Sequence, residues 1–213
     1  YLHPVLHRPN LTVRTLAFVK RILFECQRAV GVECSHYKGL PATIRAGEVI
    51  LCGGAINTPQ LLQLSGVGPA NVLQPLGIHA VTDLPGVGAN LQDHLEVYVQ
   101  YACREPVAVN PHIGWLRKLG VGAQWLFLRS GIGATNHFEG GGFCRSNDAV
   151  DYPNLMFHFL PMAIRYDGTS PSEGLGYQVH VGPMYSDARG SVQIRSSDPR
   201  QPPALQFNYL STD

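Results

Sequence analysis

The residues best suited to contact a ligand form a segment of 15 residues, Gly54-Ala-Ile-Asn-Thr-Pro-Gln-Leu-Leu-Gln-Leu-Ser-Gly-Val-Gly68. It follows the apolar run at residues 48–52 and another glycine, Gly53. When a buried strand passes through glycines into the start of a helix, its backbone N–H groups can approach a phosphate or a ring closely. This pattern indicates a nucleotide contact, but the same glycines could simply turn the chain between a strand and a packed helix. The residues alone leave both interpretations open.

Other residues that could do chemistry lack the surroundings that the chemistry needs. Asp93 and His94 are neighbours, and on an extended chain their side chains point in opposite directions, which argues against a catalytic dyad. His3 and His7 have the spacing of metal ligands on a helix, but the prolines at positions 4 and 9 oppose a helix there. Ser65 has Gln63 and Val67 at the positions two residues before and after it where a nucleophile elbow has glycines. We therefore predict neither a metal site nor a serine hydrolase.

Hydrophobic periodicity predicts the elements that must position these residues. The helix of the first segment is predicted to use Thr58 as N-cap and Pro59 as its first residue, and to end at Ser65 and Gly66. Further helices are predicted at residues 70–76 and 113–128. Strands are predicted at residues 11–15, 18–24, 29–33, 48–52, 98–102, 155–160, 178–181 and 191–195.

These elements predict an α+β fold with two domains, at residues 1–95 and 96–213, because antiparallel strands with a covering helix follow an α/β segment. The formal net charge of +1 and the absence of a basic stripe argue against nucleic acid as a partner. The five cysteines are widely spread and contain no Cys-x-x-Cys, which argues against disulfides or zinc and favours a reducing compartment. No apolar run approaches the roughly 20 residues of a membrane-spanning helix.

The whole chain resembles the glucose-methanol-choline (GMC) oxidoreductases. The segment at residues 54–68 is similar to the second sequence motif of that family, including Thr58-Pro59, the paired leucines and Ser65-Gly66-x-Gly68. The flanking segments fit as well, namely Asn10-Leu-Thr-Val, Arg28-Ala-Val-Gly-Val-Glu33, Glu48-Val-Ile-Leu, Leu76-Gly-Ile and Asp83-Leu-Pro-Gly-Val-Gly-Ala-Asn-Leu-Gln-Asp-His94. The resemblance implies an FAD-dependent enzyme whose flavin takes a hydride from an alcohol carbon.

By the same resemblance, Val19 contacts the adenine of FAD through its backbone, and Gly54 and Ala55 lie close to the cofactor. Residues 1–95 would be the remainder of a Rossmann-like FAD-binding domain. Residues 96–213 would form a substrate domain with an antiparallel β-sheet covered by helices.

Some parts of the family pattern are expected outside this chain. It contains no Gly-x-Gly-x-x-Gly, so the pyrophosphate-binding unit is expected upstream of Tyr1. The catalytic histidine of the family is expected after Asp213, and we therefore assign no catalytic residue here. The chain also has no initiator Met and stops just after a strand-like stretch, so we expect both ends to be truncations.

A narrower resemblance, to choline-oxidising members of the family and bacterial ones above all, rests on residues 135–143, 155–161 and 178–184. A trimethylammonium group needs a carboxylate for its charge and aromatic faces for cation–π attraction. Glu139, between Phe138 and Phe143, offers both and is the predicted substrate-binding residue. Without the resemblance, Glu139 would be interpreted as a solvated loop carboxylate.

The expected reaction is therefore the oxidation of choline to betaine aldehyde, with an electron acceptor that the sequence does not identify. Two alternatives stay open: a family member that acts on another primary alcohol, and an isolated chain that is a non-catalytic fragment. A cytoplasmic location is expected, with peripheral attachment to the inner membrane or a mitochondrial location as alternatives.

Overall fold

The computed structural model describes residues 1–36, 39–105, 108–109, 114–164 and 175–212. The chain divides into two compact units, one formed by Tyr1–Gln92 with Ala188–Asp213 and the other by Asp93–Asp187. The two predicted domains divide the chain differently, because residues 188–213 join the unit that contains the N-terminal segment. The α+β fold class is confirmed by the mixture of helices and antiparallel sheets.

The first unit contains an antiparallel meander of three strands, β1 (Phe18–Glu25), β2 (Arg28–Ser35) and β3 (Pro41–Arg45). The β-branched and aromatic residues that predicted β1 and β2 form these strands as expected. The predicted strand at residues 11–15 is wrong, because these residues pair with no strand in the described part of the chain. The order β1-β2-β3 leaves β1 with a neighbouring strand on one side only among the described residues.

Helix α1 (Gly54–Leu64) begins earlier than the sequence predicts. Thr58 is not its N-cap, and Pro59 lies inside the helix, where it cannot donate to the carbonyl of Ala55. The first turn is exposed, so no apolar periodicity marks it in the sequence. The predicted end is confirmed, since the Ser65 N–H bonds to Leu61 at 3.1 Å and Gly66 has a positive φ of 86°.

Residues 48–52 were predicted to form a strand before α1, and this prediction is wrong for the described part of the chain. They belong to no helix and pair with no described strand, and the apolar Ile50 is 76% exposed. After α1 the chain forms a parallel pair of short strands, β4 (Val67–Gly68) and β5 (Thr82–Asp83). The brief helix predicted between them is confirmed as α2 (Ala70–Leu73), continued by a 3-10 turn at Gln74–Leu76.

A second antiparallel sheet of the first unit contains β6 (Ala89–Leu91), β11 (Gly190–Gln193) and β12 (Ala204–Gln206) in the order β12-β11-β6. Strand β11 matches the prediction at residues 191–195 in part, since it ends at Gln193. Val192 and Ile194 are buried. Residues 188–213 therefore join the first unit through both strand pairing and apolar burial.

The second unit is built on a sheet of four antiparallel strands in the order β7-β10-β9-β8. Its strands are β7 (Val97–Ala102), β8 (Gly140–Cys144), β9 (Leu155–Leu160) and β10 (Gly176–Pro183). Strands β7, β9 and β10 confirm the predicted strands, whereas β8 was not predicted. Helix α3 (Trp115–Leu128) matches the helix predicted at residues 113–128 except at its start, where Gly114 is the N-cap and Ile113 lies outside the described residues. None of the residues of α3 is buried. No helix among the described residues combines the length and apolar character needed to cross a bilayer.

Candidate functional site

In the first unit, a cavity of about 530 Å³ lies between β1, the residues just before α1, and α1 itself. Predicted residue Val19 lines it from β1, and Gly53, next to predicted residue Gly54, lines it from the helix start. Most of the surface that lines the cavity is apolar. The lining residues are Phe18, Val19, Val32, Val49, Ile50, Leu51, Cys52, Gly53, Asn57, Thr58, Gln60, Leu61, Leu64 and Pro199. The cavity can take a flat apolar group such as a ring.

The start of α1 presents open backbone. Gly54 has φ +77°, and a Cβ built on it would meet no atom within 4 Å, so a ligand can approach the backbone here. The N-cap Gly53 supplies no side-chain cap, and among the described residues the N–H groups of Gly54, Ala55 and Ile56 bond to no acceptor. These groups carry the positive end of the helix dipole and suit an anionic or carbonyl ligand.

Ser65 fixes α1 against β1. Its hydroxyl accepts the Ile22 N–H at 2.8 Å and donates to the Leu61 carbonyl at 2.6 Å. The bond to Ile22 lies three residues from Val19 along the same strand, so Ser65 helps to hold the strand that carries Val19 beside the helix that begins at Gly54. The sequence predicted Ser65 only as the end of a helix, because the partner strand is 43 positions away.

Gln63 fixes the other side of α1. Its side chain is fully buried, donates to the Val192 carbonyl at 2.9 Å and accepts the Ile194 N–H at 2.9 Å. Gly88 leaves room for this contact, since a Cβ there would collide with both the Val192 carbonyl and the Gln63 amide. Gln63 was not predicted from the sequence, although a polar residue in the middle of an apolar helix pattern is a usable signal.

In the second unit, predicted residue Glu139 stands just before β8 and is exposed. The loop before it is shaped by short side-chain contacts. The His137 N–H donates to the Thr135 hydroxyl at 3.2 Å, and the Phe138 N–H donates to the Asn136 side chain at 3.1 Å. His137 takes a left-handed conformation with φ +65°, so this loop directs where Phe138 and Glu139 stand.

Phe138 lies against a row of residues that crosses the sheet. Tyr98 pairs with His180, His180 with His158, and His158 with Gly141, so these residues share one face. The Phe138 ring meets the ring of His158 at 6.0 Å and that of His180 at 6.4 Å, nearly perpendicular to both. Phe143, the other aromatic residue predicted near Glu139, is exposed on β8, on the same face as Gly141.

A network of hydrogen-bonded polar side chains lies on this face of the sheet and was not predicted from the sequence. Glu96 bonds to His180 at 3.0 Å, His180 to Gln178 at 2.6 Å, and Gln178 to Gln100 at 2.7 Å. Gln178 and His180 are buried, with 0% and 6% of their surface exposed. The alternation of Gln178 and His180 along β10 was a signal that they share a face, but it could not reveal Glu96, which is 84 positions away from His180.

The remaining candidates are placed as follows. Asp93 accepts the backbone N–H of His94 at 2.9 Å. In the described ranges, no group of three or more His, Cys, Asp or Glu side chains is arranged to hold a metal ion. The assignments of Val19, Gly54, Ala55 and Glu139 stay predictions.

Residues 1–96 match the sequence model of a family described as GMC oxidoreductase. The chain is 58% identical, over all 213 of its residues, to oxygen-dependent choline dehydrogenases of Staphylococcus aureus strains JH9 and Newman. It spans 37% of the length of these curated relatives.

Solved structures show similar folds. A pyridoxine 4-oxidase from Mesorbium loti is 28% identical with a TM-score of 0.78, over 99% of this chain and 37% of that one. A formate oxidase of Aspergillus oryzae, in which FAD modification was studied, is 25% identical with a TM-score of 0.89, over 98% of this chain and 42% of that one.

Proposed function

Because the chain belongs to the GMC oxidoreductase family, we propose that the complete protein oxidises choline to betaine aldehyde with FAD as the hydride acceptor. The observation that carries this proposal is the 58% identity to oxygen-dependent choline dehydrogenases along the entire chain. The relatives' name makes dioxygen the electron acceptor to test first. For the chain on its own we propose no activity, since it spans 37% of the relatives' length.

The residues of the first unit fit a flavin nucleotide. The cavity beside β1 is apolar and includes Val19, whose backbone we propose as the contact to adenine. The open backbone of Gly54 and the unpaired N–H groups of Gly54 and Ala55 would face the polar part of the cofactor. Bound FAD supplies the redox chemistry by accepting a hydride from the alcohol carbon. These chain segments bind and orient it.

The residues of the second unit fit the cationic end of the substrate. A quaternary ammonium has no N–H to donate, so it is recognised by charge and by aromatic faces. Glu139 supplies the negative charge, and Phe138, which is 49% exposed and directly precedes it, supplies an accessible ring. In the described part of the chain, the Glu139 carboxylate forms no ion pair, so its charge is available to a ligand.

Substituting Glu139 tests this proposal. In the complete FAD-loaded protein, Glu139→Gln removes the charge but keeps the size, and we expect the KM for choline to rise about tenfold or more. The flavin content should stay unchanged, because Glu139 is not among the residues proposed to hold FAD. Glu105→Gln, which changes another exposed carboxylate of the second unit, is the matched control and should leave the KM unchanged. An unchanged KM in Glu139→Gln would overturn the assignment.

A second candidate function is the oxidation of another primary alcohol. It is favoured by the structural similarity to a pyridoxine 4-oxidase and a formate oxidase, with TM-scores of 0.78 and 0.89, because the same scaffold serves different substrates. A screen of alcohols with the complete protein separates the two candidates. A higher kcat/KM for an uncharged alcohol than for choline would favour the second.

We also propose a cytoplasmic location with peripheral attachment to the inner membrane. Helix α3 supports the attachment because Trp115, Leu116 and Phe127 are exposed on it, and Arg117 and Lys118 add positive charge. Co-sedimentation of the complete protein with anionic vesicles measures its attachment to a membrane surface. Protein that stays in the supernatant at low salt would contradict attachment.

A further inference from the structure

We propose that residues 196–203, in the loop between β11 and β12, form a strap over the cavity proposed for FAD in the first unit, and that Pro199 is the strap's contact with the bound cofactor. This inference rests on the proposed function, because it takes the cavity beside Val19 as the cofactor cavity. It adds to that cavity a residue from the segment 188–213, far along the chain from Val19 and Gly54.

Pro199 supplies a wall of the cavity. It lines the space of about 530 Å³ together with Val19 of β1 and Leu61 of α1. All the other lining residues belong to residues 18–64, so Pro199 covers a side that β1 and α1 leave open. Its side chain is an apolar ring, and it has no N–H that would need a partner, so it can pack against a flat ring in the cavity.

The strap also separates two cavities. A neighbouring cavity of about 390 Å³, whose lining includes Arg200, shares Phe18, Asn57, Gln60 and Pro199 with the first. The two cavities therefore lie side by side with a common border. Three of the border residues belong to β1 and α1, whereas Pro199 belongs to a loop. Movement of the strap would join the two cavities and open a way out for the cofactor.

Local contacts give the strap a defined shape. Asp198 Oδ1 accepts the Arg200 N–H at 2.9 Å, and the Asp198 N–H donates to the Ser196 hydroxyl at 3.0 Å. Arg195 donates to the Pro202 carbonyl at 3.3 Å and so joins the two ends of the loop. Three of the eight residues of the strap are prolines, which restrict the backbone and lower the entropy lost on ordering. The strap therefore keeps Pro199 in one place.

Two exposed contacts hold the strap against β1 and α1. Arg200 Cζ lies 5.1 Å from the centre of the Phe18 ring, and Gln60 Nε2 donates to the Gln201 carbonyl at 3.0 Å. The base of the loop is held differently, because the Ile194 N–H donates to a buried side chain of α1 at 2.9 Å. Exposed cation–π contacts and hydrogen bonds are weak, so the strap can open while its base stays in place. Such a strap lets the cofactor enter and slows its release.

The rate of FAD release from the complete FAD-loaded protein tests the role of Pro199, with the fluorescence of the freed flavin as the readout after dilution. Pro199→Ala removes the ring that lines the cavity. Pro202→Ala is the matched control, since it also removes a proline of the strap but one that does not line this cavity. We expect release from Pro199→Ala to be about threefold to fifteenfold faster than from Pro202→Ala, as the loss of one or two buried CH₂ groups implies. Equal rates in the two variants would overturn the proposal.

A second measurement needs no substitution and no release of the flavin. Trypsin can cut after Arg200 only when the strap leaves Phe18, so we expect the FAD-loaded protein to be cut there about fivefold or more slowly than the apoprotein. The bond after Arg145, which is exposed in the second unit, is the internal control and should be cut at equal rates. Equal rates after Arg200 would overturn the strap. An unmodified protein that binds no FAD would instead overturn the proposed function.

Discussion

Replacing Gln63 by leucine should destabilise the first unit more than any other single change on α1. The leucine fills nearly the same space but removes the amide that donates to the Val192 carbonyl and accepts the Ile194 N–H, each at 2.9 Å. Both backbone groups belong to buried residues, so water cannot easily replace the lost partner. A buried polar group left without a partner costs about 1–3 kcal/mol, which gives a total of about 2–6 kcal/mol.

Urea unfolding of the complete protein, followed by tryptophan fluorescence and by flavin release, measures this loss. The matched control is Gln60→Leu on the same helix, where one exposed bond to the Gln201 carbonyl at 3.0 Å is lost. We expect the control to cost less than about 1 kcal/mol, because its groups return to water. Equal losses of stability in the two variants would refute the reasoning that buried hydrogen bonds of Gln63 join α1 to residues 188–213.

Further predictions concern the other contacts around α1. Ser65→Ala leaves the Ile22 N–H without its acceptor, so it should lower the free energy of unfolding by about 1–3 kcal/mol and speed the release of FAD. An unchanged rate of FAD release would contradict the role of Ser65 in holding the strand that carries Val19. Gly88→Ala should be among the most damaging glycine substitutions, since Gly88 has φ +84° and a Cβ would collide with the Val192 carbonyl. Gly77→Ala, at φ +71° with open space around it, should cost only about 1–2 kcal/mol, so equal losses would argue against the collision.

Local patterns predicted much of the fold. Strands β1, β2, β7, β9 and β10 were recognisable because alternating, β-branched and aromatic residues suit a pleated sheet. The same patterns misplaced residues 11–15 and 48–52, because a strand also needs a partner and composition does not supply one. The start of α1 was misplaced because Pro59 suggested a first helical position, while the exposed turn from Gly54 gave no apolar signal.

The candidate site was predictable only in part. The resemblance in residues 54–68 led to Gly54 and Ala55, whose backbone is open as a ligand contact requires. The partners of Gln63 lie 129 and 131 positions away, and Glu96 lies 84 positions from His180, so only the tertiary fold brings them together. Side chains that join distant segments carry no local periodicity, and a single sequence does not reveal them.

The central claim is tested most directly by adding choline, without oxygen, to the complete FAD-loaded protein while the visible absorbance of the flavin is recorded. The account predicts that choline bleaches the oxidised flavin and yields an equimolar amount of betaine aldehyde, and that Glu139→Gln needs a higher choline concentration for the same bleaching. A protein that binds FAD but keeps its oxidised spectrum in excess choline would contradict the account.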